Sequence, residues 1–203
     1  MQRGWGRSAI AGLIIIACTA GAQAQAPAGA AMPTGGWANP PVGHIAFCRS
    51  HPAECRSAGA AQPMRLDDGR WQQLVAVNAE INRSIVPVTD LDYHGIEELW
   101  TLPVSHGDCE DYVLLKRHRL VRLGWPAGAL LATVVFDEEG EGHAVLAVRT
   151  DRGDLILDNK TDAVRFWHDT AYRYVKRQSD TDPKRWVSIS DTRWAIGAAS
   201  AAR

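Results

Sequence analysis

The stretch His106-Gly107-Asp108-Cys109-Glu110-Asp111-Tyr112 decides how the rest of the chain is read. A glycine closes one segment, acidic residues open the next, and a single cysteine lies among them. From position 108 to 123, Tyr112, Val113, Leu115, Leu120 and Leu123 recur at roughly helical spacing, with Lys116, Arg117, Arg119 and Arg122 between them. Gly124 and Pro126 end the pattern. Acids in a first turn and bases in a last turn are what a helix macrodipole favours. Cys109 therefore falls in the first turn of a helix, where unpaired backbone N–H groups favour a thiolate. A cysteine so placed is a candidate nucleophile.

Upstream, Trp71, Leu74, Val75, Asn78, Ile81 and Ile85 are spaced by three and four residues and predict an amphipathic helix over 67–85. Asn78 and Asn82 lie on or beside its apolar face, where backbone partners usually satisfy an amide. Residues 86–107 read as a long loop carrying Asp90, Asp92, Tyr93, Gly95, Trp100 and Pro103. Downstream, the β-branched run 129–136 predicts a strand, and 143–150 and 154–157 predict a hairpin around Asp151-Arg152-Gly153. Two further strands are expected over 172–178 and 186–190, and Trp167 and Trp186 are expected in the core or in the wall of a groove. Helices followed by an antiparallel meander make an α+β chain.

The first 24 residues read as an address. Arg3 and Arg7 precede an apolar run that is short for a membrane span, and Ala22-Gln23-Ala24 is a cleavage pattern. Ile15-Ile16-Ala17-Cys18 allows the alternative of a lipoprotein anchored through Cys18. Cleavage after Ala24 leaves 20 basic against 23 acidic residues, moving the formal charge from −1 to −3 and giving no basic face for nucleic acid. The organisation expected is a signal peptide over 1–24, a disordered Ala/Pro/Gly-rich leader over 25–41, one domain over 42–192 and a flexible tail over 193–203.

Export to an oxidising compartment, the periplasm, gives Cys48 and Cys55 two readings. They can close a short disulfide loop, worth at most roughly 2.5 kcal/mol by chain entropy, or join His44 and His51 in a zinc site whose spacing fits finger patterns poorly. The disulfide reading leaves Cys109 as the odd thiol.

A thiol nucleophile needs a base and a group that orients the base. His143 opens one hairpin strand and Asp158 ends the next. With the turn at Arg152, positions whose numbers sum to about 301–304 face each other, which makes His143 and Asp158 cross-strand neighbours with Cβ atoms about 5 Å apart. His106 is a competing base by proximity, although a residue three before the nucleophile rarely faces it across a cleft. The backbone N–H of Cys109 is one oxyanion donor, with Asn82, Trp100 or the His106 region as candidates for a second. Asp108, Glu110 and Asp111 pose an electrostatic problem. Carboxylates about 6 Å from a thiolate each disfavour it by roughly 2–3 kcal/mol, against about 1 kcal/mol returned by the helix dipole.

Gly107-Asp108-Cys109-Glu110-Asp111-Tyr112, then Lys116, Leu120 and Gly124, then His143-Ala144-Val145-Leu146 and Leu157-Asp158-Asn159, resemble the bacterial transglutaminase-like cysteine peptidases over about 40–190. The resemblance implies a papain/transglutaminase-like fold, with the catalytic cysteine at a helix start packed on an antiparallel sheet and Cys109, His143 and Asp158 as the triad. LapG-type members are calcium-dependent periplasmic endopeptidases. They cut large surface adhesins near a paired-alanine site to release biofilm cells, and an inner-membrane cyclic-di-GMP receptor restrains them. Carried over, the resemblance implies Ca²⁺ held by Asp108, Glu110 and Asp111, and a protein substrate. Two other functions use the same residues or fold: a transglutaminase or amidase acting on peptide or cell-wall amides, and a non-catalytic binding module.

Overall fold

The run Gly142–Thr150 is the axis of the fold. Its residues alternate, sending Ala144, Leu146 and Val148 into one apolar cluster and Val145 and Ala147 into another on the opposite face. The computed structural model describes Met1 and residues 31–57 and 63–193. The expected signal peptide, the Cys18 alternative and the tail beyond Arg193 lie outside the described residues. The elements in order are β1 (Thr34–Ala38), α1 (Val42–Ser50), α2 (Asp68–Ser84), β2 (Val86–Pro87), α3 (Asp90–His94), β3 (His106–Gly107), α4 (Cys109–Arg122), β4 (Leu130–Phe136), β5 (Gly142–Thr150), β6 (Gly153–Leu157), β7 (Arg165–Phe166), β8 (Arg173–Gln178) and β9 (Trp186–Ile189). Seven strands form one antiparallel sheet in the order β1-β9-β8-β4-β5-β6-β7. Helices α2 and α4 pack on each other and, through α4, on β4 and β5, with Leu74, Ile81, Val113 and Leu120 buried between the layers. The α+β reading holds, but the sheet is not a plain meander. After β7 the chain returns to lay β8 against the free side of β4.

Local chemistry sets the ends of the two long helices. Asp67 caps α2 by accepting the Arg70 N–H at 2.8 Å. At the other end of α4, Gly124 takes φ +86°, donates to the Val121 carbonyl at 3.0 Å, and lets Trp125 donate to the Leu120 carbonyl at 3.1 Å. This is the paired C-terminal closure that a left-handed glycine permits.

Three expectations are corrected. The composition predicts a disordered leader over 25–41, yet Thr34–Ala38 pairs with β9, and Trp37 lies under the Arg185 guanidinium at 3.5 Å. Backbone pairing and one stacked aromatic are enough to order a segment that buries little. The loop over 86–107 contains α3 and a two-residue parallel pairing, Val86 with His106 and Pro87 with Gly107. That pairing ties the end of α2 to the residues just before Cys109, a long-range contact that composition does not reveal. Arg193, placed in the flexible tail, donates to the Trp167, His168, Thr170 and Tyr172 carbonyls and to Asp191.

Cys48 and Cys55 are joined in a disulfide with Cα atoms 5.5 Å apart, which removes the zinc alternative. His44 Nδ1 accepts the Trp186 indole N–H at 3.3 Å, and His51 stacks on Phe47. Burial first, and the Arg117 charge second, lower His44 to about 4, so it stays neutral. A Cys48→Ser, Cys55→Ser double variant should lose roughly 2 kcal/mol of stability by urea titration; an unchanged midpoint would show that the short loop adds no constraint.

Lys116 of α4 is 1% exposed, and its ammonium has no hydrogen-bond partner. Burial lowers its pKa to about 7, against the attraction of Asp158 and Asp162. A lysine with a depressed folded-state pKa costs stability in full below that pKa, and the cost is relieved as pH rises toward the unfolded value, because the unfolded chain then binds more protons. Lys116→Met should therefore raise the denaturant midpoint, and by more at about pH 6 than at about pH 9. An equal gain at both would mean that the amine does not titrate in this range.

Candidate active site

Cys109 is the first residue of α4 and the free cysteine among the described residues. Asp108 occupies the N-cap position with extended backbone but makes no side-chain cap. Its side chain lies instead with Asp90 and Glu110, so the first-turn N–H groups beside the sulfur have no side-chain cap. The N–H of Ala144, the third residue of β5, reaches Cys109 sulfur. That contact places the thiol against the start of β5, where His143 stands.

His143 Nε2 and Asp158 Oδ1 are 2.9 Å apart, both side chains almost wholly buried. The expected pairing is present, with a refinement of register. β5 and β6 pair Leu146 with Leu157 and Ala147 with Ile156. Extended by one residue, that register sets Asp158 opposite Val145, so His143 is its diagonal neighbour on the same face, within reach of a long side chain. Because Nε2 faces Asp158, Nδ1 is the ring nitrogen left for the thiol.

Asp158 is held from several sides. Its Oδ1 also accepts the Lys160 N–H at 3.1 Å, its Oδ2 accepts the Tyr172 hydroxyl, and its main-chain carbonyl accepts from Asn82 Nδ2 at 2.9 Å. Burial alone would raise its pKa; the hydrogen bond and charge of His143 and the Tyr172 hydroxyl outweigh it and hold the carboxyl below its usual value. Tyr172 also stands edge-on to the imidazole at 5.6 Å. Its role was missed from sequence, since thirteen residues, β7 among them, lie between it and Asp158 and no spacing links them.

A cleft of about 450 Å³ opens over these groups, lined on the catalytic side by Cys109, Glu110, His143 and Ala144 and on the walls by Glu98, Trp100 and Val134. Of the three candidate second oxyanion donors, Trp100 alone lines this cleft, with its indole N–H donating to Glu98 at 3.2 Å. Asn82 uses its amide on the Asp158 and Thr161 carbonyls. His106 pairs with Ser105 at 2.9 Å and stacks on Tyr93, so it does not compete with His143. Trp167 and Trp186 are core residues, 5% and 1% exposed.

The acids beside the sulfur divide differently from the sequence expectation. One oxygen from each of Asp90, Asp108 and Glu110 lies within 4.8 Å of the others. Asp111, one position further on and so turned about 100° around the helix, is not in that group. Its Oδ1 accepts the Thr101 N–H at 2.7 Å and the Thr101 hydroxyl at 3.2 Å. The carboxyl packs against Gly107, where a Cβ would come within 2.6 Å of Asp111 Oδ2, which explains the glycine before Asp108. Sequence alone places Asp90 only within the 86–107 loop. It precedes Asp108 by eighteen residues, and the parallel pairing of β2 with β3 brings it in.

Without a compensating charge this cluster opposes ionisation of the thiol. Burial pushes Glu110 up to about 8, with the Asp108 charge as the next cause, and burial likewise raises Asp108. Burial, the Glu110 charge and the 3.2 Å thiol-to-Glu110 hydrogen bond push Cys109 well above its ordinary value, against the Ala144 N–H. Asp108 Oδ1 is buried without a hydrogen-bond partner. Three carboxylates with an orphaned oxygen are a hard-oxygen donor set, and these residues fit Ca²⁺ better than a softer ion.

The comparisons follow the same lines. The sequence profile described as bacterial transglutaminase-like cysteine proteinase BTLCP matches residues 34–194. Comparison with curated protein sequences gives no match. Among solved structures, Legionella pneumophila LapG in its calcium-bound form superposes with a TM-score of 0.50 at 24% identity, over 61% of this chain and 70% of that one. The EGTA-treated form of the same protein gives 0.50 at 23% identity, over 64% and 76%. At this identity the likeness speaks for the fold, while the profile spans most of the chain and includes Cys109, His143 and Asp158. The chain belongs to the bacterial transglutaminase-like cysteine proteinases.

Proposed function

We propose that this chain is an exported, calcium-dependent cysteine endopeptidase of LapG type that works in the periplasm. The observation that carries the reading is a free thiol at a helix start that lines one open cleft with the His143 of a buried His143–Asp158 pair. Export is supported by the sequence of the first 24 residues, and calcium by the fit of the acidic cluster and by the calcium-bound state of the Legionella neighbour.

In the reaction, His143 Nδ1 takes the Cys109 proton and the thiolate attacks the peptide carbonyl carbon. The oxyanion forms beside the backbone N–H groups at the start of α4. Collapse breaks the C–N bond, and the imidazolium gives its proton to the leaving amine. Water, deprotonated by His143, then releases the acyl group from sulfur. Asp158 keeps Nε2–H oriented and stabilises the imidazolium. Asp90, Asp108 and Glu110 would hold Ca²⁺, whose charge offsets the carboxylates that otherwise keep the thiol protonated. Asp111 stands outside that set and fixes the 101–107 segment through Thr101. The substrate is a protein, and a large surface adhesin cut near paired alanines is the specific proposal. An inner-membrane cyclic-di-GMP receptor is the proposed restraint.

Cys109→Ala should abolish cleavage of an adhesin fragment at unchanged melting temperature, and Asp158→Ala should lower kcat by roughly 10²–10⁴-fold. Cleavage that survives Cys109→Ala would overturn the assignment. Incorporation of a lysine analogue in place of hydrolysis would make the enzyme a transglutaminase instead. EGTA should suppress cleavage and added calcium restore it. By titration calorimetry, Asp90→Asn should weaken calcium binding roughly tenfold or more and Asp111→Asn far less; equal effects would mean that the ligand set is misassigned.

A further inference from the structure

The triad carboxylate has two oxygens, and only Oδ1 faces His143. Oδ2 accepts the Tyr172 hydroxyl, and both residues are buried. Burial first, and the carboxylate next, push that hydroxyl well above its ordinary pKa, so it stays a donor. An aspartate carboxyl turns broadly about its last torsion, and one with a free oxygen could exchange the atom it offers to an imidazole. Here Oδ1 is shared by His143 and the Lys160 N–H while Oδ2 is taken by Tyr172, and that rotation is blocked. The same tyrosine ring stands edge-on to the imidazole, with centroids 5.6 Å apart, so it bears on both members of the pair.

The loop 167–172 has little of its own to hold Tyr172 in place. His168, Asp169 and Ala171 are exposed, and residues 167–172 belong to no strand. Arg193 supplies the hold from beyond β9. Its Nη1 donates to the Trp167, His168 and Thr170 carbonyls at 3.2, 3.2 and 3.1 Å, and its Nη2 to the Tyr172 carbonyl at 2.7 Å. Nε and Nη2 also form a fork on Asp191 at 2.9 and 2.8 Å, and Asp191 accepts the Tyr174 N–H of β8 at 3.1 Å. The guanidinium lies over the rings of Trp167 and Tyr174, at 4.6 and 5.3 Å. All three of its nitrogens are thus spent on the loop or on Asp191, which anchors it to β8.

We propose that Tyr172 and Arg193 are positioning residues for the reaction: Arg193 clasps the 167–172 loop, and the loop sets the Tyr172 hydroxyl on Asp158 Oδ2 so that Oδ1 alone faces His143. Neither residue lines the cleft, and both act at one remove, on the orientation of the imidazole. Chain beyond β9 thereby takes part in the chemistry.

This inference rests on the Cys109–His143–Asp158 reading, and the experiment separates the two. Alkylation of Cys109 by iodoacetamide, with calcium present and followed on its own peptide by mass spectrometry, reads thiol–imidazole reactivity without a substrate. Proton NMR of the downfield His143 Nε2–H signal reads the bond to Asp158 and needs no calcium. Both are measured well below the melting temperature of each variant, where a role confined to stability moves neither. Tyr172→Phe keeps the ring beside the imidazole and removes only the hydroxyl. It should slow alkylation roughly tenfold and shift or broaden the downfield signal. Arg193→Ala should do the same, and the double variant should be no slower than the slower single one, because both act through one hydroxyl. Arg193→Lys, which keeps the charge but cannot fork, serves where Arg193→Ala does not fold. Alkylation of the Tyr172→Phe protein within about twofold of wild type, an unmoved signal, or single effects that multiply in the double variant would each overturn the proposal. If wild-type Cys109 reacts no faster than free cysteine, the triad reading itself fails and this inference falls with it.

Discussion

The structure turns on an electrostatic conflict at the first turn of α4. Cys109 must give up a proton to act, yet its thiol donates to Glu110, and Asp108 and Asp90 stand close behind. The helix dipole and the Ala144 N–H favour the thiolate, but each carboxylate at this range opposes it by more than the dipole returns. The same acids are held where they are by the fold. Asp90 is delivered by the short parallel pairing of β2 and β3, and Asp108 has its side chain turned from capping toward the cluster. An arrangement this unfavourable for the bare protein is economical once a divalent cation supplies the missing charge.

On the other side of the sulfur the fold solves a different problem, that of holding an imidazole at one angle. β5 carries His143, β6 delivers Asp158 one residue beyond its end, and the loop after β7 returns Tyr172 to the second carboxylate oxygen. Arg193 gathers the carbonyls of Trp167, His168, Thr170 and Tyr172, fixing the loop that presents this tyrosine. Strands buried on both faces leave β5 and β6 little freedom to slip, since a shift of one residue would exchange every side chain between the two apolar clusters.

Much of this was legible in the sequence because it depends on local periodicity. The two long helices, the β5–β6 hairpin, Cys109 at a helix start and the approach of His143 to Asp158 all follow from spacing of three, four or two residues. The cysteine loop was legible from compartment and separation. What the sequence hid is long-range or side-chain geometry. The nearness of Asp90 to Asp108 and Glu110, and the bond of Asp111 to Thr101, depend on a two-residue strand pair and one hydrogen bond, and neither leaves a pattern. The strand Thr34–Ala38 hides in a Gly- and Pro-rich stretch whose order comes from its partner, β9. Tyr172 reads as an ordinary strand-edge residue until the fold sets its hydroxyl on Asp158.

If charge on the acidic cluster governs ionisation of the nucleophile, calcium should control the thiolate population. Ultraviolet difference absorbance of the thiolate, measured during calcium titration of the protein and of a Cys109→Ser control, reads this. The thiolate signal should be weak in the calcium-free protein, grow to one equivalent with bound calcium, and be missing from the control. A full thiolate signal without calcium, or none at saturation, would show that the acids do not set the protonation of Cys109.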